Sequence, residues 1–247
     1  MVLYFSATGN CKYVAVKIAQ SAGEEMVSIV DCIRQENYTF HDSCIGIISP
    51  TYNWALPSIT REFLQKAELK ADYLYYVATY GTSPGASSEY AEKYLGQKIQ
   101  AFYSVRMPDT WTPVLDLSTP EKVAKFSNTT EDDIKSVICH LKNRDCGQFM
   151  ANRKPKAFVS LVAYPIYELN RRTKNLHVEN TCIGCGLCAR KCPVQAIEMK
   201  NKTPVWVKDK CVMCLGCLHR CPKFAIQYGN GKATKKHGQY VNPHMKV

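Results

Sequence analysis

Eight cysteines in the last third of the chain dictate what that part can fold into. Cys182, Cys185, Cys188 and Cys192 are followed by Pro193; twenty-nine residues on, the same spacing returns as Cys211, Cys214, Cys217 and Cys221 followed by Pro222. The run Cys-x2-Cys-x2-Cys-x3-Cys-Pro is a signature of paired four-iron, four-sulfur (4Fe-4S) clusters. Its first three cysteines wrap one cubane, and the fourth, pulled away by its proline, points at the other cluster. The expected ligand sets are therefore crossed. Cys182, Cys185, Cys188 and Cys221 serve one cluster, and Cys211, Cys214, Cys217 and Cys192 serve the second.

The repetition reaches beyond the ligands. Residues 182–199 and 211–228 share seven of eighteen positions, and the short runs Leu176 to Val178 and Pro204 to Val207 precede the two loops equivalently. That is an internal duplication with expected pseudo-twofold symmetry. Zinc ribbons use widely separated Cys-x2-Cys pairs with four ligands per ion, which does not fit eight cysteines with two Cys-Pro steps. Thirteen cysteines in 247 residues also suggest a secreted disulfide scaffold, but no signal-peptide pattern opens the chain and eight thiols are already claimed. The expected compartment is the reducing cytoplasm, in an anaerobe. The longest nearly apolar stretch, Ala157 to Tyr167, is eleven residues with a proline, too short for a membrane span.

Charge separates the halves. Residues 1–150 hold 14 Lys and Arg against 17 Asp and Glu, and residues 151–247 hold 18 against 4. Two cubanes with their thiolates offset about four of the positive charges. The remaining surplus points to an acidic redox protein partner, or to the chain's own N-terminal half. No nucleic-acid motif accompanies the basic charge, so nucleic acid is not expected.

The N-terminal half reads as alternating strands and helices. MVLYF is an apolar strand, Ser6-Ala7-Thr8-Gly9-Asn10 a loop, and Val14, Ala15, Ile18, Ala19 and Ala22 line one face of a helix stopped by Gly23. Further strands are expected at Glu25 to Val30, Cys44 to Ser49, Tyr73 to Thr79 and Ile99 to Val105. Helices are expected after Pro57, Ser87, Thr119-Pro120 and Thr130. Five strands with intervening helices imply a doubly wound parallel sheet, which binds ligands beyond the carboxyl ends of its strands.

Three loops meet that rule. Ser6, Ala7, Thr8, Gly9, Asn10 and Cys11 offer hydroxyls and helix-start amides to a phosphate, in neither a Walker nor a dinucleotide pattern. Pro50, Thr51, Tyr52, Asn53 and Trp54, with Thr79, Tyr80 and Gly81, supply flat aromatic faces for an isoalloxazine ring. Together they describe an FMN site.

YFSATGNCKYVA resembles the phosphate loop of flavodoxins, and PTYNWALP and TYGTSPG stand where that family's flavin-flanking loops fall. The whole chain, down to the closing QYVNP, is similar to flavodoxin-ferredoxin fusions found mainly in anaerobes. The resemblance implies an α/β, flavodoxin-like five-stranded parallel sheet over residues 1–148 and a connector over 149–175. A small α+β ferredoxin-like domain with two 4Fe-4S clusters follows over 176–230, and a basic tail over 231–247. One departure is Cys11, where flavodoxins commonly have a threonine or serine; it is read as a tolerated replacement rather than a redox-active thiol.

The other cysteines, Cys32, Cys44, Cys139 and Cys146, are expected to be small buried side chains, His219 and Arg220 to be solvated, and the tail to be a solvated extension. Pro155 and Pro165 are expected to break any long helix in the connector. The expected function is electron transfer between two 4Fe-4S clusters and FMN. The alternative is an FMN-dependent reductase of a small organic acceptor such as a quinone, nitro or azo compound, although no acid or base pair is visible in the flavin loops. A further alternative is an N-terminal half that serves only as an empty docking module.

Overall fold

The computed structural model describes residues 1–246. Six parallel strands form one sheet in the order β2-β1-β3-β4-β5-β6. They are β1 (Val2–Tyr4), β2 (Met26–Ser28), β3 (Thr39–Pro50), β4 (Glu68–Tyr80), β5 (Ala101–Arg106) and the short β6 (Gly147–Gln148). Helices α1 (Asn10–Ala22), α2 (Ile29–Arg34), α3 (Ser58–Lys66), α4 (Ser87–Leu95), α5 (Pro120–Ser127) and α6 (Thr130–Lys142) connect them. Alternation along the strands feeds two cores. Ile45 and Ile47 face α3 and α4, whereas Ile48, Tyr75 and Val77 face α1 and α6.

Most local signals act as expected. Gly23 ends α1 in the left-handed region, and the Thr119 side chain accepts the Lys122 N–H at the start of α5. Two differ. The second strand stops at Ser28, because that residue caps α2 by accepting the Asp31 N–H and Ile29 and Cys32 then bury as helix positions. Ser87 is the first residue of α4 rather than its cap, which is Ala86.

The connector is helical from Lys156 to Asn170 despite its prolines. Pro155 precedes the first turn, and a π-helical turn, Val159–Ala163, lies immediately before the segment Tyr164–Asn170 that holds Pro165. The wider turn relieves the carbonyl that a proline ring would strike in a regular helix. Val159, Ala163 and Tyr167 bury against the sheet domain, while Leu161 and Leu169 stay exposed.

Beyond it, β7 (Leu176–Val178) pairs antiparallel with β10 (Ile226–Tyr228), and β8 (Ile197–Lys200) with β9 (Thr203–Trp206). The strand before each cysteine loop thus pairs with the strand after the other, which is the expected pseudo-twofold. The tail is not a solvated extension: helix Lys232–His237 leads into buried Tyr240 and Asn242. Of the remaining cysteines, Cys32 is buried and Cys44 half-buried, but Cys139 and Cys146 are exposed on the edge formed by α6 and the turn after it. No helix among the described residues is long and apolar enough to cross a membrane.

Candidate functional site: a cavity against the second cysteine loop

A cavity of about 240 Å³ opens at the carboxyl end of the sheet. The residues expected at the flavin site line it, apart from Gly9. Gly9 instead sets the loop: its φ of 100° is a left-handed conformation open to glycine, and it turns the chain from β1 into α1. No side chain caps α1, so its first amides remain available to an anion. Ser6 Oγ is buried with no partner. An orphaned hydroxyl beside free helix-start amides is the donor set a phosphate group fits. Asn10 is held differently from expectation: its Nδ2 donates to Pro108 O at 2.9 Å, and its Oδ1 accepts the Tyr240 hydroxyl at 3.0 Å.

Burial pushes the Cys11 thiol up to about 12, and its Sγ lies 3.0 Å from Thr79 Oγ1. It is a protonated, hydrogen-bonded thiol tying the phosphate loop to β4, which suits a packing role.

The second loop is a two-residue hairpin turn. Tyr52 and Ala55 exchange both backbone hydrogen bonds, and Asn53 and Trp54 take φ of 48° and 62°. A residue as large as Trp in the left-handed region is held there by its surroundings. Ala86 N–H donates to Trp54 O at 2.9 Å, and a Cβ on Gly85 would lie 2.0 Å from the same oxygen. Phe158 of the connector packs on the Trp54 ring with centroids 5.8 Å apart.

Sequence reasoning missed part of the lining. Met107 to Trp111, the loop after β5, completes the wall on the sheet side, and Met213, Cys214 and Leu215 close the cavity from the other domain. The loop after β5 is a strand carboxyl end like the others and was within reach of the same rule. Asp109 stands in it with Oδ1 accepting Trp111 N–H at 3.0 Å, and burial raises its carboxyl above the ordinary carboxylate range.

The eight motif cysteines separate into two cavities. Cys182, Cys185, Cys188 and Cys221 line one, and Cys192, Cys211, Cys214 and Cys217 line the other. Among the described residues no three His, Cys, Asp or Glu side chains converge on a single metal-ion position. A cubane spreads its thiolates over four irons, so such convergence is not what it needs. Burial pushes the Cys214 thiol up to about 12 and Cys217 well above its ordinary value, so these sulfurs become thiolates only with metal charge beside them.

The domains meet along this second loop. The Tyr167 hydroxyl accepts Ser58 N–H at 3.0 Å and donates to Val212 O at 2.9 Å. Arg220 Nη2 donates to Ala7 O in the phosphate loop. His219 is buried rather than solvated: its Nε2 donates to Thr110 O at 2.8 Å, its Nδ1 accepts Tyr240 N–H at 3.1 Å, and burial holds it neutral with a pKa of about 4. Asn242 N–H donates to Thr8 O at 2.8 Å.

A sequence profile of the flavodoxin domain matches residues 1–136. The chain belongs to the flavodoxin-domain family. A 4Fe-4S dicluster domain profile matches residues 174–222, so this flavodoxin domain is fused to a ferredoxin-type one. Fusion of these two domains makes the chain an electron-transfer protein, with FMN implied by the first and iron–sulfur clusters by the second. Similar solved structures include the Trp repressor binding protein from Bacillus subtilis, 12% identical over 59% of this chain and 99% of that one, with a TM-score of 0.36. Rubredoxin oxygen:oxidoreductase from the anaerobe Desulfovibrio gigas is 14% identical over 58% of this chain and 36% of that one, with a TM-score of 0.34. A flavodoxin from the domain Archaea is 14% identical over 55% and 96%, with a TM-score of 0.29. No curated protein matches the chain.

Proposed function

We propose that the flavodoxin–ferredoxin fusion carries electrons between two 4Fe-4S clusters and one FMN in a reducing compartment, the cytoplasm. Cys182, Cys185, Cys188 and Cys221 hold one cluster, Cys211, Cys214, Cys217 and Cys192 the other. The loops at Ser6 to Cys11, Pro50 to Trp54 and Thr79 to Gly81 hold the flavin. The observation that carries this reading is Cys214, which lines both the cavity at the carboxyl end of the sheet and the cavity of the second cysteine set. When bound, clusters move single electrons and a flavin accepts one or two, so together they join one-electron carriers to two-electron chemistry. The chain's own residues position and insulate. Ser6 Oγ and the start of α1 bind the phosphate end, Tyr52 and Trp54 offer flat faces, and buried Met213 and Leu215 keep water from the shared wall. Anaerobic purification with iron, sulfide and flavin quantitation tests it. The expectation is about eight irons and about one flavin per chain; iron-free protein, or no flavin after acid release, overturns it.

Asp109 favours a second reading, reduction of a small organic acceptor such as a quinone, nitro or azo compound. A carboxyl at the cavity wall whose proton affinity burial raises is a candidate donor where delivery of a proton accompanies electrons. Anaerobic mixing of reduced protein with an acceptor panel separates the two. Fast, selective oxidation that Asp109→Asn slows marks a reductase, and slow, unselective oxidation marks a carrier.

A further inference from the structure

The two cysteine loops are near-copies in sequence, yet the fold treats them oppositely. Ile183 in the first loop is 58% exposed, whereas Val212 at the matching position of the second is 1% exposed. Cys185 is exposed, and its counterpart Cys214 lines the seam with the flavodoxin domain. The duplication serves as an internal control: same motif, one loop covered by the chain itself, one left bare. The bare loop is ringed by cations. Arg190 Nη1 donates to Cys185 O at 2.9 Å, the backbone of Lys202 packs against Gly184, and Lys223 lines the same cavity as Ile183. Lys200 lies in the same segment, where residues 181–202 contain one acid, Glu198, whereas Lys191 lines the cavity of the second cysteine set. None of Arg190, Lys200, Lys202 and Lys223 takes part in an ion pair among the described residues. A cluster with its four thiolates contributes about −2, so roughly one positive charge remains on this face even when it is loaded and Glu198 is counted.

We propose that the first cysteine loop is the docking face for an acidic one-electron carrier protein, with Ile183 as its apolar centre and Arg190, Lys200, Lys202 and Lys223 as its rim. This rests on the electron-transfer reading above. An apolar tip inside a ring of free cations is the complement of an acidic protein surface that surrounds its own redox centre, and such rims set association through charge. A nucleic acid fits less well, because the rim cations accompany an aliphatic tip and not an aromatic stacking platform.

The full-length, cluster-loaded protein is titrated anaerobically against an immobilised acidic plant-type 2Fe-2S ferredoxin at low and at physiological salt. Lys202→Glu/Lys223→Glu is compared with Lys232→Glu/Lys236→Glu, which reverses exposed charges on the C-terminal helix. The expected result is salt-sensitive binding that falls at least about tenfold in the first pair and less than about twofold in the second. Ile183→Ser alone is expected to weaken binding about threefold without altering its salt dependence. Equal losses in both pairs, unchanged binding in the first, or tighter binding to a single-stranded oligonucleotide than to the ferredoxin overturns the docking face. Iron content and visible absorbance are read on the same samples. Loaded protein with insensitive binding overturns the docking face alone, and iron-free protein overturns the electron-transfer reading and the docking face with it.

Discussion

At Tyr167 one fully buried hydroxyl ties three elements together: the connector, the start of α3 and the second cysteine loop. Tyr167→Phe leaves Ser58 N–H and Val212 C=O without that partner, and chemical denaturation should show a loss of about 1–3 kcal/mol. Arg220 plays an electrostatic part at the same seam, with one arm on the phosphate loop and a buried Nε that has no partner. A unit charge in such a place is worth on the order of 1 kcal/mol. Arg220→Gln should therefore lower the potential of the neighbouring centre by on the order of 50 mV in an anaerobic redox titration, while Arg220→Lys should recover most of the shift. An unchanged potential in Arg220→Gln would reduce Arg220 to a packing residue. The sequence reads Arg220 and His219 as solvated, because their contacts depend on a partner surface more than a hundred residues away, at Ala7 and Thr110. Thiol chemistry separates the cysteines outside the motif. Alkylation at mildly basic pH, followed by peptide mapping, should modify exposed Cys139 and Cys146 and spare Cys11, whose thiol is buried and held near 12. Rapid modification of Cys11 in folded protein would restore the redox-active reading.

Among the elements, the strand-loop-helix at the N-terminus and the hairpin turn at Tyr52 to Ala55 build the cavity proposed to hold the flavin. Ser6→Ala removes a hydroxyl that the fold otherwise leaves without a partner, so it should weaken FMN binding about tenfold in a flavin fluorescence titration with little effect on stability. Gly85→Ala should do more. The position has φ of 64° and an added Cβ would strike Trp54 O, so Trp54 must move. A loss of more than about 2 kcal/mol in stability, together with the flavin, is expected. These elements were legible because each carries a local signal: apolar periodicity, a stop glycine, a helix-opening Thr-Pro. What was not legible lay where two signals overlapped. Ser28 reads as part of a strand until its cap to Asp31 is recognised, and Pro165 reads as a breaker unless a π-helical turn precedes it. β6 is only two residues long and has no pattern of its own.

The whole molecule is held as one unit by contacts that no local pattern announces. Its last segment passes from the ferredoxin-type domain back to the phosphate loop, where Tyr240 and Asn242 meet Asn10 and Asn242 N–H donates to Thr8 O. Deleting residues 239–247 should weaken FMN affinity severalfold and separate the unfolding of the two domains, visible as a second transition in calorimetry. A single unchanged transition would return the segment to the solvated tail that its basic composition suggests. The motif spacing carried the crossed cysteine sets; the closeness of the second set to the flavin cavity comes from tertiary packing of Met213, Cys214 and Leu215 and could be read only from the fold. The proposed crossed sets would place two clusters side by side in one small domain, and spin quantitation by low-temperature electron paramagnetic resonance on anaerobic, fully reduced protein tests that proposal most directly. The account predicts about two cluster spins per chain with a spectrum broadened by their mutual interaction; one sharp, isolated cluster signal, or none, would contradict it.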